Sequence, residues 1–396
     1  MDHILDYPHA ADHAGDLPPE LDELRAREPV SRVRLPDGRT AWLVTRHDDV
    51  RTVLSGEKFT RDMSAGSGAA ATEPGRGTTR TVNMDGRAHL ELRGLVSKAF
   101  GVRRIDGMRP RVQELTDRLF DSLEEAGPPA DLVRHVAAPL PALVICELLG
   151  FPTEDHAALS RLCDRITTVG GGPDQSAWRE LSAFVDRTVR ARRAGPGEGR
   201  ASDPDVLSVL IRAHDEARLT EEELVSLTVV ILAGGLETTQ TAISAGLLRL
   251  FRNPDQWKRL RDDPGLLDPA IEEILRYQPV VDLNRLQMAT EDVWLGGRLV
   301  PAGDLVQISI NSANRDDGIF PEAARFDIAR QPNPHLAFGH GAHHCLGAAL
   351  ARLELRTVFS TILRRFPGLR LAAAPESLRW RGGHVTLGLE ELPVTW

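Results

Sequence analysis

One apolar run, Thr220 to Asn253, limits what this chain can become. It keeps helical periodicity and opens on a capping box, in which Thr220 and Glu223 satisfy each other's orphan N–H groups. It stops at Asn253-Pro254, because proline cannot continue a helix. At ~1.5 Å per residue the run predicts a rod on the order of 45 Å long. Such a rod crosses a whole domain, so other helices must bury it. Gly234-Gly235 stands at its middle, where each glycine costs roughly 1 kcal/mol relative to alanine. The pair predicts either a local distortion that leaves room for something or close packing on a neighbouring helix. The run alone leaves both open.

The rest of the chain is read around that rod. Val30–Leu35 and Thr40–Thr45 are β-prone and flank the turn Pro36-Asp37-Gly38-Arg39, which predicts a hairpin. Residues 62–82 are a low-complexity run of Gly, Ala, Ser and Thr. A helix is expected from about Arg87 to Phe100, stopped by Gly101. Residues 104–165 read as largely helical with a break at Gly127-Pro128-Pro129, and further breaks fall at 170–173 and 194–199. A short helix follows Pro269 and ends before Pro279, residues 280–310 alternate as strands do, and a last helix covers about 346–365. The expectation is a mainly α fold with a small β-sheet region, built as one domain over residues 1–396.

The charge balance narrows the partners. The formal net charge is −9 and no long basic run occurs, which argues against nucleic acid. No stretch of ~18 uninterrupted apolar residues occurs and no apolar leader opens the chain, so a cytoplasmic protein without a membrane anchor is expected. Three cysteines, Cys146, Cys163 and Cys345, make a poor disulfide framework and fit a reducing compartment.

The sharpest chemical signal is Phe338-Gly339-His340-Gly341-Ala342-His343-His344-Cys345-Leu346-Gly347. Cys345 lies just before a helix with apolar Leu346, Leu350 and Leu353. The positive end of that helix favours a thiolate over a thiol. The glycines permit unusual backbone angles and close approach to a flat partner. An inert buried cysteine is the bland alternative and suits Cys146 and Cys163 well. Zinc is disfavoured, because no second cysteine stands at ligand spacing.

This segment resembles, position by position, the haem-binding loop F-G-x-G-x-H-x-C-x-G of the cytochrome P-450 family. Three further motifs fall in that family's order, so the resemblance covers nearly the whole chain. It implies a b-type haem between the long distal helix and the cysteine-loop helix. Cys345 would be the proximal iron ligand, with Phe338 and Gly339 shaping the loop. Thiolate ligation pushes electron density onto iron and favours O–O cleavage. Gly234-Gly235-Leu236-Glu237-Thr238 is similar to the family's distal motif, with glycine where many relatives have alanine. Thr238 would hydrogen-bond the iron-bound peroxo intermediate, and Glu237 would feed protons inward through water.

Glu273 and Arg276 are three apart on one helix face. Alone they read as a surface pair. The resemblance makes them the family's E-x-x-R fold motif, with Arg325 as third member of a buried charge triad. His89 and Arg93 match a His-x-x-x-Arg pair that reaches haem propionates, and His343 is expected to do the same. Relatives usually place an arginine where this chain has Gln287, and Arg285 stands two residues earlier. Residues 284–290 read as a strand, so both would share a face, and Arg285 is expected to take the propionate role.

The resemblance implies a monooxygenase that inserts one atom of O2 into a small organic substrate, a natural-product intermediate. Electrons would come from NAD(P)H through a ferredoxin reductase and a ferredoxin, docked through Lys98, Arg103 and Arg104. Two alternatives stay open. Oxidative coupling or desaturation would use the same fold without oxygen transfer. A haem gas sensor would have no need of the Glu237–Thr238 pair.

Overall fold

The computed structural model describes residues 5–7, 16–62, 83–168, 174–194, 205–278, 280–281, 286–382, 384 and 386–396. Nearly all of the low-complexity run at 62–82, and the breaks at 170–173 and 195–199, lie outside them. The chain divides into two compact units, residues 1–73 with 245–345 and residues 74–244 with 346–396.

The first unit carries most of the β-structure. Val30–Arg34 and Thr40–Val44 form the expected hairpin, with Val30 opposite Val44. Its turn is closed by Leu35 N–H to Arg39 O at 2.8 Å and Gly38 N–H to Leu35 O at 2.9 Å. Six strands follow the order Leu5–Asp6, Val30–Arg34, Thr40–Val44, Leu305–Ile308, Gln287–Ala289, Phe59–Thr60. Alternate residues of these strands enter a core with Val50, Val53, Val300 and Leu336. The helix near Pro269 is Leu267–Tyr277, starting two residues earlier than proline at the first helical position suggests. The strand anticipated over 284–290 is described as Gln287–Ala289, and residues 282–285 lie outside the described chain.

The second unit is helical. Gly86–Ser97 continues as one 3₁₀ turn, Lys98–Phe100, and stops at extended Gly101. Arg109–Ala126 ends at Gly127, as the Gly-Pro-Pro signal requires. Pro139–Leu149, His156–Thr167, Gln175–Ala194 and Val206–Asp215 follow. The cysteine-loop helix, Ala348–Arg365, packs on Arg109–Ala126 and on Val102–Gly107. Phe120 meets Phe366 at 5.3 Å between ring centroids, and Gln113 Nε2 donates to Thr361 Oγ1 at 3.0 Å.

The long helix is Glu221–Arg252, 32 residues, or ~48 Å at 1.5 Å per residue. Its capping box is formed: Glu223 N–H donates to Thr220 Oγ1 at 3.1 Å and Thr220 N–H to Glu223 Oε2 at 3.0 Å. The chain stays α-helical through Gly234-Gly235. By length and composition it could span a bilayer, yet 56% of its most apolar window is buried within the fold. Its apolarity serves a core, in which Leu232, Leu236 and Ile243 are buried.

Candidate functional site

The three cysteines sort by environment. Cys146 and Cys163 are buried, and burial pushes the Cys146 thiol up to about 12 and raises that of Cys163 as well. Both therefore stay protonated and unreactive. Cys345 is exposed and outside any disulfide. Its loop is closed by its own N–H, which donates to Phe338 O at 2.8 Å, while Gly339 N–H donates to Leu336 O at 2.8 Å. Gly339 and Gly341 both take φ of +70°. At Gly341 a Cβ would stand 2.7 Å from the carbonyl oxygen of Leu54, so no other residue fits there. The cysteine-loop helix starts at Ala348, three residues after the sulfur. A soft, accessible sulfur just ahead of a helix's first N–H groups fits a thiolate ligand to haem iron.

Glu273 and Arg276 are not a surface pair. Both side chains are fully buried and bond in a fork, Nε to Oε2 and Nη2 to Oε1, each at 2.7 Å. The third member of the triad is Arg330, correcting the assignment of Arg325. Arg330 Nε lies 3.2 Å from Glu273 Oε2, and its other nitrogens donate to the carbonyls of Pro321, Glu322 and Arg325. The Arg325 side chain is 57% exposed and pairs with Glu322 at 3.2 Å, so only its backbone joins the cluster. Both arginines lie in one short segment. The pattern of buried carbonyls, invisible in sequence, selects between them.

The glycine pair divides its labour. A Cβ on Gly235 would stand 3.1 Å from Ile145 Cδ1, so that glycine lets two helices approach closely. A Cβ on Gly234 would meet nothing within 4 Å. Gly234 therefore faces open space, and Thr238, one turn on, shares that face. Thr238 Oγ1 donates to Gly234 O at 2.8 Å. Gly234→Ala should raise thermal stability, by up to ~1 kcal/mol of helix propensity. Gly235→Val should lower it by ~1–3 kcal/mol through overpacking. Chemical denaturation of the two variants checks both signs.

Glu237 is buried beside a cavity of about 450 Å³ lined by Arg161, Asp164, Gln240, Arg381 and His384 among others. Its Oε1 accepts from Thr167 Oγ1 at 2.6 Å, and its Oε2 from Thr386 Oγ1 at 3.3 Å. Arg381 Nη2 lies 3.4 Å from Oε1 and also donates to Asp164. Burial raises the Glu237 carboxyl above the ordinary range, and the two threonine hydroxyls pull it partly back. Burial, and then Arg381, lower the His384 imidazole. Asp164, Glu237 and His384 bring three ligand atoms within 4.8 Å. The guanidinium touches all three, so a cation there would have to displace it. No motif or spacing marks Thr167, Thr386, Asp164, Arg381 or His384 as neighbours of Glu237.

His89 is buried and Arg93 half-buried, one turn apart on Gly86–Ser97. His343 is half-buried at the end of the 3₁₀ turn Gly341–His343. Arg285 lies outside the described residues, while Gln287 is buried and stands opposite Val306 in the sheet.

The chain matches the family model described as Cytochrome P450 over residues 174–264 and 265–373. It is 43% identical over 396 residues to nocardicin C N-oxygenase of Nocardia uniformis subsp. tsuyamanensis, covering 98% of each chain. The crystal structure of the LnmA cytochrome P450 hydroxylase from the leinamycin biosynthetic pathway of Streptomyces atroolivaceus superposes with a TM-score of 0.90 at 39% identity, over 99% of this chain and 100% of that one. That of cytochrome P450mel 107F1, with biaryl coupling reactivity, gives a TM-score of 0.88 at 38% identity, over 99% and 100%.

Proposed function

Since the chain belongs to the cytochrome P450 family of haem–thiolate monooxygenases, we propose that it inserts one oxygen atom from O2 into a small natural-product intermediate. Electrons pass from NAD(P)H through a ferredoxin reductase to a ferredoxin. The observation that carries this reading is the adjacency of Glu237, a buried carboxyl held above its usual range, and Thr238, a hydroxyl on the open face of the same helix. A protein that only bound a gas would have no use for that proton path. The natural-product class rests on relatives named for nocardicin C and leinamycin. The whole chain, residues 1–396, serves as one functional domain in the cytoplasm, where cysteines outside disulfides persist.

Haem b is the family's cofactor, and bound through a thiolate it supplies an electron-rich iron that activates O2. Cys345 is its ligand, in the loop shaped by Phe338 and Gly339. His89, Arg93, Arg285 and His343 hold the propionates by charge-assisted bonds. Thr238 gives up the bond from its Oγ1 to Gly234 O and donates toward reacting oxygen. Glu237 replaces that proton through water drawn from the cavity behind it.

A second reading is oxidative coupling without oxygen transfer, favoured by the likeness to the biaryl-coupling structure. Turnover under isotopically labelled O2 with a surrogate ferredoxin separates the two: one labelled atom in the product is expected, and none would establish coupling or desaturation. In the same assay Thr238→Ala should still consume reductant and O2, yet yield several-fold less product and more hydrogen peroxide. Unchanged product per reductant would remove Thr238 from the proton path.

The ferredoxin docks on Lys98, Arg103 and Arg104. Lys98 and Arg103 are exposed, and Val102 between them is 69% exposed. Helix Val102–Gly107 packs on the cysteine-loop helix. A basic patch with an apolar centre, on a chain of net charge −9, suits an acidic partner. Raising salt should slow reduction steeply, since exposed charges are screened beyond ~8 Å at physiological ionic strength. Lys98→Glu with Arg103→Glu should reproduce that slowing at low salt. Reduction rates independent of salt would place the docking surface elsewhere.

A further inference from the structure

The cavity behind Glu237 is built around one guanidinium with two claimants. Arg381 sits in a hairpin that its own N–H closes on Gly388 O at 2.8 Å, with Trp380 bridged to Leu389. The hairpin is tied to helix His156–Thr167 where His384 bridges to Thr168 just past the helix end. Arg381 is thereby fixed between two carboxylates of different exposure. Asp164, from that helix, is 49% exposed at its side chain, whereas Glu237 is 6% exposed. Arg381 Nη2 donates to Asp164, and its 3.4 Å contact with Glu237 is at the outer limit of a hydrogen bond.

We propose that Arg381 is a shared counter-ion, and that Asp164 sets how much of its charge reaches Glu237 and hence how readily Glu237 takes and releases a proton. An opposite charge within ~4–6 Å favours an ionised carboxyl. A guanidinium wholly on Glu237 would lock it as a carboxylate, a poor proton donor. A guanidinium removed altogether would leave a buried carboxyl that holds its proton too firmly. Asp164 keeps the balance between these limits by drawing the guanidinium toward the cavity mouth. Arg381 and Asp164 are positioning residues and act only through Glu237. The other charged or titratable groups around the cavity are Arg161, next to Asp164 in the same helix, and His384 and Glu390 of the hairpin. Cys163 lies buried nearby and stays protonated. Thr167 and Thr386 also donate to Glu237.

The proposal rests on the reading of Glu237 as the proton relay, but its test does not pass through turnover. Infrared difference spectra of the haem-loaded protein across a pH titration show the C=O stretch of protonated Glu237, identified by its absence in Glu237→Gln. Asp164→Asn should shift the midpoint down and Arg381→Gln should shift it up, each by roughly one pH unit. Arg381→Lys, which keeps a cation there, should stay close to wild type and guards against a hairpin that misfolds in Arg381→Gln. Midpoints that stay put, or that move in the same direction in Asp164→Asn and Arg381→Gln, would overturn the proposal. Failure of the relay itself is a separate result: Glu237→Gln would leave product per reductant unchanged while the midpoints still moved apart.

Discussion

Replacing Cys345 by histidine should abolish the strongly red-shifted Soret band of the reduced, CO-bound protein, and with it all monooxygenation. The band reports a thiolate opposite CO, and an imidazole donates too little electron density to produce it. The other two cysteines cannot substitute, because burial holds both thiols protonated. Cys146→Ala and Cys163→Ala should therefore keep the band while losing some stability from the core. Cys345→Ala should lose the band with almost no effect on folding of the haem-free chain. Its side chain is exposed, and exposed substitutions usually stay within ~0.5 kcal/mol. That contrast separates a lost ligand from a misfolded protein. A red-shifted band surviving in Cys345→Ala would assign the iron to another residue.

What the sequence disclosed and what it withheld divide by the range of the contact. The cysteine loop was legible because its ten residues are contiguous and its fixed positions carry local constraints, as at Gly341 under the Leu54 carbonyl. The capping box and the first hairpin are equally local, and both formed. The partners of Glu237 were not legible, because Thr167 is 70 and Arg381 144 residues away. No periodicity connects a threonine at one helix end, an arginine in a late hairpin and a carboxyl in mid-helix. The glycine pair was half-legible. Sequence could pose packing against open space but could not assign Gly235 to Ile145 and Gly234 to space, nor tell that the helix stays α-helical through both.

Arg330→Ala should destabilise the protein by about 3 kcal/mol and loosen its hold on haem, whereas Arg325→Ala should cost no more than ~0.5 kcal/mol. Glu273 is fully buried, and four donors converge on it: Arg276, Arg330, the Asn333 side chain and the Asp327 N–H. Removing Arg330 strips one cation from that carboxylate. It also leaves the carbonyls of Pro321, Glu322 and Arg325 without the donors that Arg330 supplies. Breaking one partner of a buried charge cluster typically costs ~3–5 kcal/mol, because what remains is still buried and now under-compensated. Water will reach part of this site, so the lower end applies. The loss should extend to the cysteine loop through Asn314. Its carbonyl accepts from Arg276 Nη1 at 2.7 Å, and its side-chain oxygen accepts from Leu336 N–H at 2.8 Å. Leu336 O in turn holds Gly339 N–H, at the start of the turn that presents Cys345. A slackened triad should therefore show as faster haem loss to an acceptor globin as well as a lower urea midpoint. Arg325 has no such reach, since its exposed side chain pairs with Glu322 in solvent. Equal costs for the two alanine variants would return Arg325 to the triad.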